Sequence, residues 1–231
     1  LKNKDSNIEL NNLNLNLEFS SKLHIINGIK FLVVYKNIKN DISSSYVLIY
    51  KYENNYWRKF STILENSYYI DSIDNKKDKI YIAVADYSVL GNGKAKICTI
   101  NTYLNNQELI NNFNNIENLI GDIEIVDGKL GLYRDKLYFA YVSTFLGSRV
   151  KVLLYNNSWI NLGNTSISLG NTSNITFTFD FKGKPYISFK DEGSVNKISV
   201  LFYEANTWQT INSIILANDF ISKPYIFIRE K

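Results

Sequence analysis

The stretch "GKPYISFKDEG" (183–193) combines a Gly-Lys-Pro turn, an alternating run from Tyr186 to Phe189 and an acidic stop. Its beginning recurs in "SKPYIFIRE" (222–230), and looser versions stand at "DKIYIAVAD" (78–86) and "DKLYFAYVS" (135–143). Aligned on the tyrosine of this phrase, equivalent strands carry Leu32 (in "FLVVYKN"), Tyr81, Tyr138, Tyr186 and Tyr225, which are 49, 57, 48 and 39 residues apart. A period of this size is the mark of a repeated supersecondary unit, so the phrase decides the fold.

Each tyrosine-position strand is followed by a loop of small and polar residues, as in "SVLGNGKA" (88–95), "TFLGSR" (144–149) and "EGSVNK" (192–197). A second strand then arrives: "SYVLIYKYE" (45–53), "AKICTINTY" (95–103), "VKVLLYNN" (150–157) and "ISVLFYEAN" (198–206). It turns into a third that usually opens with tryptophan: "YWRKFST" (56–62), "SWINLGN" (158–164) and "TWQTINS" (207–213), with "QELINNF" (107–113) in the second unit. A strand before the tyrosine, such as "YYIDSID" (68–74) or "NITFTFD" (174–180), completes each set. Four short strands per period of about 50 residues describe a β-propeller blade. Within the strands Tyr81, Ala83 and Ala85 share one face and Ile82 and Val84 the other, both faces apolar, as a sheet sandwiched between sheets requires. The tryptophans are expected to wedge between adjacent blades.

The expectation is therefore an all-β chain, residues 1–231 forming a single β-propeller domain of five blades with four antiparallel strands each. "NIEL" (7–10) and "LNLNLEF" (13–19) would pair with the carboxy-terminal strands and close the ring, because closure removes sheet edges that invite aggregation. An open fragment of a longer propeller is the competing reading.

Composition bounds the rest. A chain of 231 residues, 45% hydrophobic and 21% charged, can bury a full core. Seventeen Tyr and thirteen Phe favour strands. The net charge of +4 arises from lysines interleaved with acids and only four arginines (Arg58, Arg134, Arg149 and Arg229), which is no nucleic-acid stripe. No apolar run reaches the roughly 18 residues of a membrane helix, and no signal-peptide pattern is present. A chain that opens on Leu1 and contains no methionine reads as an excerpt or a processed product. The 32 asparagines, with abundant Lys and Ile, suggest an AT-rich genome.

The phrase also resembles a known family. Bacterial surface and secreted propellers carry repeats of the type W-x-x-L-G … G-x-P-Y-I-A-Y-x-D, and "SWINLGNTSISLGNTSNITFTFDFKGKPYISFKD" (158–191) is similar to that pattern. The likeness covers roughly 120–230 well and 20–115 loosely. It implies an extracellular or cell-surface blade architecture related to kelch-type and five-bladed lectin propellers, with a glycan or protein ligand and no catalytic motif. The second unit departs by its missing tryptophan and the Asn-rich 111–129 insertion.

Function would then sit on one rim. Five residues beyond the alignment position come Asn37, Asp86, Ser143, Asp191 and Glu230, a polar and acidic set at equivalent blade corners. They could accept hydrogen bonds from sugar hydroxyls or an ammonium group, with Tyr35 and Tyr141 as apolar platforms. The plain alternative is that an acid ends each strand because it becomes solvated there. A glycoside hydrolase would need two carboxylates about 5–9.5 Å apart, and the aspartate box of sialidases is absent. A scaffold without its own ligand is the third possibility.

Other chemistry is weaker still. Cys98 in "AKICTINTY" reads as a small buried strand residue, and one cysteine makes no intrachain disulfide. His24, the only histidine, excludes multi-histidine metal sites and is expected packed or hydrogen-bonded in a first strand. "DSIDNKKD" (71–78) lacks the ligand order of an EF-hand and reads as a turn, and "VLGNGK" (89–94) lacks the spacing of a phosphate loop. Asn-x-Ser/Thr triplets at Asn156, Asn164, Asn171 and Asn174 are chance products of asparagine abundance. The sequence thus predicts a non-catalytic, monomeric recognition module with no metal, no cofactor, no nucleic acid and no membrane insertion.

Overall fold

The computed structural model describes residues 17–38, 45–87, 94–103, 114–116, 125–143, 147–163, 167–168, 170–192, 197–215, 224–226 and 228. The chain is all-β. Among the described residues, sixteen strands form four antiparallel sheets, each a simple up-and-down meander. The first contains Leu17–Ile26 (β1), Ile29–Ile38 (β2), Tyr46–Glu53 (β3) and Tyr56–Glu65 (β4). Ser67–Asp74 (β5), Lys79–Asp86 (β6), Lys94–Asn101 (β7) and Asn114–Ile116 (β8) form the second. The third holds Ile125–Tyr133 (β9), Lys136–Ser143 (β10), Arg149–Asn156 (β11) and Ser158–Asn161 (β12). Thr172–Phe179 (β13), Pro185–Asp191 (β14), Lys197–Glu204 (β15) and Thr207–Ile215 (β16) make the fourth. Among the described residues no helix is long and apolar enough to cross a membrane.

The tyrosine-position strands are thus the second strands β2, β6, β10 and β14. The expected fifth unit is not seen: the described residues form four sheets, not five. Pro224–Ile226 belongs to no strand, and Tyr225 is 77% exposed. Among the described residues, Leu17–Phe19 are not paired with a carboxy-terminal strand. They open β1 and pair with β2, Leu17 opposite Ile38 and Phe19 opposite Lys36. A two-residue turn at Asn27–Gly28 (φ 49° and 78°) folds β1 directly onto β2, so the local hairpin sets the register of these residues. Residues 1–16, 107–113 and Glu230 lie outside the described residues.

Alternation sends the two faces of each inner sheet to different neighbours. Ile80, Ile82 and Val84 of β6 pack with Phe31, Val33, Val47 and Ile49 of the first sheet. Ala83, on the other face of β6, packs with Phe139, Tyr141 and Leu153 of the third. In β10 the odd residues Leu137, Phe139 and Tyr141 join that cluster, while Ala140 and Val142 turn to Ile187 and Phe189 of the fourth sheet. Small residues face large ones, so three apolar interlayers form in sequence order.

The tryptophans divide. Trp208 does bridge sheets: its indole N–H donates to the Leu162 carbonyl at 2.7 Å. Trp159 packs at the margin of the second interlayer. Trp57 does not wedge, since it is 40% exposed. What the three share is a cross-strand partner at the last hairpin: Tyr52–Trp57, Tyr155–Trp159 and Tyr203–Trp208, with ring centroids 5.2, 5.3 and 5.3 Å apart. The repeated tryptophan therefore serves its own hairpin before it serves the interlayer. Asparagine also has a structural use. Seven of the twelve described non-glycine residues with positive φ are Asn, including Asn54, Asn55 and Asn206 in the turns before Trp57 and Trp208.

Candidate functional site

The first strand of each sheet is an edge strand, paired on one side only, so half of its backbone groups need partners elsewhere. Side chains of the preceding sheet supply them. Asn37 of β2 accepts the Tyr69 N–H of β5 at 2.9 Å and donates to the Tyr69 carbonyl at 3.2 Å. Asp71 of β5 accepts the Leu130 N–H of β9 at 3.0 Å. Asp127 of β9 accepts the Ile175 N–H of β13 at 2.9 Å. Thr176 of β13 continues the series by donating to the Pro224 carbonyl at 2.6 Å. These struts hold successive first strands side by side.

Bulges recur at the same place. The register slips at Ile70 in β5, at Val126 in β9 and between Ser173 and Thr176 in β13, whereas β1 pairs without interruption. A bulge bends its strand and re-aims side chains. Here it turns Ile70 and Val126 towards a concavity of about 390 Å³. Ser21, Lys22, Tyr35, Asn37, Tyr68, Tyr69, Asp71, Asp127, Lys129 and Tyr225 complete its wall. The volume falls within the roughly 300–1,000 Å³ of small-molecule sites.

Charge in the concavity is organised around Asp71. Its Oδ1 meets the Lys22 ammonium at 2.9 Å and the Lys129 ammonium at 3.5 Å, while Oδ2 takes the Leu130 N–H. Lys22 also donates to the Ser72 carbonyl. Asp127 spends Oδ1 on the Gly128 N–H at 2.8 Å and Oδ2 on Ile175. The aromatic wall is equally ordered, with Tyr35 stacked on Tyr69 at 3.7 Å and 12°.

Of the residues expected at a rim, Tyr35 and Asn37 line this concavity. Asp86, Ser143, Asp191 and Tyr141 do not. Asn37, Asp86, Ser143 and Asp191 do take equivalent positions near the ends of β2, β6, β10 and β14, but all four are buried. Asp86 is ion-paired with Lys96, and Asp191 lies 3.8 Å from Lys197, so lysines of the third strand of each sheet cover these acids. The Ser143 hydroxyl is buried with no hydrogen-bond partner among the described residues. Tyr141 stacks on Phe139 in the second interlayer, and burial pushes its hydroxyl up to about 12. Among the described residues, then, the expected acidic set consists of buried strand ends. The acids that reach the concavity, Asp71 and Asp127, sit in first strands. A charged residue interrupting an apolar alternation in "YYIDSID" and "IEIVDGKL" was the available signal.

A second polar cluster lies between the first two sheets. His24 Nδ1 stands 2.8 Å from Asp74, His24 Nε2 is 2.9 Å from Ser72 Oγ, and the Tyr69 hydroxyl is 2.9 Å from the same Ser72 Oγ. Burial lowers the His24 pKa against the opposing pull of Asp74. The neutral ring then donates from Nδ1 to Asp74 and accepts the Ser72 hydroxyl at Nε2, and Ser72 accepts from Tyr69. The order is that of a catalytic triad, but Ser72 is fully buried and already shared. No substrate carbonyl could reach it, so the cluster acts as a satisfied polar bridge between sheets.

Further along, Asn75 Oδ1 accepts the N–H groups of Lys77, Asp78 and Lys79 and so holds the 71–78 turn. No cluster of three or more metal-ligating side chains occurs among the described residues. Cys98 is buried in β7. No family model matches the chain, and no curated protein matches it.

Proposed function

We propose that the four sheets are blades of a propeller, and that the concavity at their inner edges is a carbohydrate-recognition site in a secreted or surface-displayed module that binds without turnover. The architecture is supported by the blade-like meanders, by the sequential interlayers and by the side-by-side approach of β5 to β9 and of β9 to β13. One observation carries the recognition reading: tyrosines, bulged aliphatic residues and hydrogen-bonding side chains from three sheets converge on one open pocket. Sugars present C–H faces that pack on aromatic rings and hydroxyls that need donors and acceptors, and this wall offers both. Binding without turnover is supported by how the two carboxylates are used. Asp71 and Asp127 serve as inter-sheet struts, and moving either to do acid–base work would orphan a backbone N–H.

A glycan array probed with the purified chain tests this, followed by a reducing-sugar assay on every glycan retained. Retention that weakens at least tenfold in Tyr35→Ala, with no release of reducing ends, is the expected result. Turnover of a retained glycan would replace the reading with the hydrolase. Failure of every glycan to bind would end it.

A further inference from the structure

We infer that the ligand of this concavity carries an oxyanion, the carboxylate of an acidic sugar, held between the ammonium groups of Lys22 and Lys129. The inference rests on the recognition reading above and specifies its chemistry.

Formal charge in the wall is balanced, with two lysines against two aspartates. Position decides which sign a ligand meets. The Asp71 side chain is 6% exposed, whereas those of Lys22 and Lys129 are 44% and 25% exposed. Both Asp71 oxygens are engaged, and both Asp127 oxygens are engaged by backbone N–H groups. An ammonium group has three donors. Lys22 commits one to Asp71 and one to the Ser72 carbonyl, and Lys129 reaches Asp71 only at 3.5 Å. Among the charged groups of the pocket, the unspent capacity is therefore donor capacity on two cations that share one buried anion.

That sharing has a further consequence. Because Lys22 and Lys129 lie 2.9 and 3.5 Å from the same oxygen, Oδ1 of Asp71, their ammonium groups stand no further apart than the sum of those distances, anchored on a group that cannot move without releasing the Leu130 N–H. A pair of ammonium groups fixed in this way suits the two oxygens of one carboxylate, each taking a charge-assisted hydrogen bond. Asp71 is thus a positioning residue. Tyr35, stacked on Tyr69, and Tyr225 line the same concavity and add aromatic surface to it.

The test is a titration calorimetry series on the whole chain with three acidic saccharides, each beside a neutral counterpart. Trigalacturonate is paired with its methyl ester, 3′-sialyllactose with lactose, and a heparin tetrasaccharide with its desulfated and carboxyl-reduced form. At least one carboxylated sugar should bind tenfold or more tighter than its neutral form, and the advantage should shrink as salt rises from 50 to 500 mM. Lys22→Gln and Lys129→Gln should each abolish most of that advantage. Should a variant fail to fold, the methyl-ester comparison on the unaltered chain still decides. Preference for the sulfated sugar alone overturns the carboxylate assignment, as does binding of inorganic sulfate with equal strength. Equal binding of acidic and neutral forms overturns the inference and leaves the recognition reading standing, whereas no binding in any arm ends both.

Discussion

Gly183, the first residue of the decisive phrase, allows the reasoning to be tested quantitatively. It has φ +85°, and a Cβ placed there would overlap the ring of Tyr133 from the neighbouring sheet. Alanine at 183 therefore meets two penalties. Left-handed backbone costs an L-residue roughly 1–2 kcal/mol, and forcing extra volume into a packed contact costs roughly 1–3 kcal/mol. Gly183→Ala should thus destabilise by about 2–5 kcal/mol, lowering Tm by roughly 4–20 °C for a chain of this size. Gly28 separates the two effects. Its φ is +78°, but nothing lies within 4 Å of its virtual Cβ. Gly28→Ala should then cost only the backbone share, about 1–2 kcal/mol. Urea unfolding of both variants, with Tyr133→Ala alone and combined with Gly183→Ala, measures the difference. The combined variant should lose less than the two single effects added together, because removing the ring removes the overlap. Equal costs at 28 and 183, or strict additivity with Tyr133, would refute the claim that Gly183 is required by contact between sheets.

Four further outcomes follow from the same geometry. His24 is the only histidine, and burial lowers its pKa, so the unfolded chain binds a proton that the folded one lacks as pH falls below about 6.5. Stability should decline from pH 7 to pH 5, and His24→Gln should flatten that slope in urea midpoints; an unchanged slope contradicts the buried neutral ring. Asp74 adds a separate acid-side loss. Burial alone would raise its pKa, but the bonds from His24 and Lys76 outweigh burial and lower it, so its contribution holds above the usual carboxylate range and disappears at lower pH. The Cys98 thiol is pushed up to about 12 by burial and should react with Ellman's reagent only at the rate of unfolding; prompt labelling of the native chain would contradict its placement. Asp127→Ala should cost about 1–3 kcal/mol by orphaning the Ile175 N–H, while Asp127→Asn keeps one of the two acceptors and should retain part of that stability. Equal stability of the two would show that the strut carries no weight.

Much of the architecture could be read directly from the chain. Strand content, meander order and the two apolar faces of β6 follow from period-2 alternation around Tyr81, Tyr138 and Tyr186, because strand geometry ties side-chain direction to sequence parity. The same parity logic fails at a bulge, where one extra residue reverses the faces beyond it. Ile70 and Val126 sit at such slips, which is why the concavity they line was not anticipated. The extrapolation to Tyr225 failed for a different reason. A repeat motif reports the propensity of a strand, but the strand exists only when a neighbour supplies its hydrogen bonds.

Local chemistry written in the residues, then, determined which segments extend, where they turn and which faces are apolar: alternation, left-handed asparagines and Gly-Lys-Pro turns act over a few residues. Tertiary structure alone decided which acids meet solvent. Asp86 and Asp191 end strands in positions that look open, yet lysines of the adjoining strand cover them. Asp71 lies in the middle of a strand that looks buried, yet it stands beside the concavity with Lys22 and Lys129 bound to it. Those ion pairs span 49 and 58 residues of chain, a distance over which sequence pattern carries no information about contact.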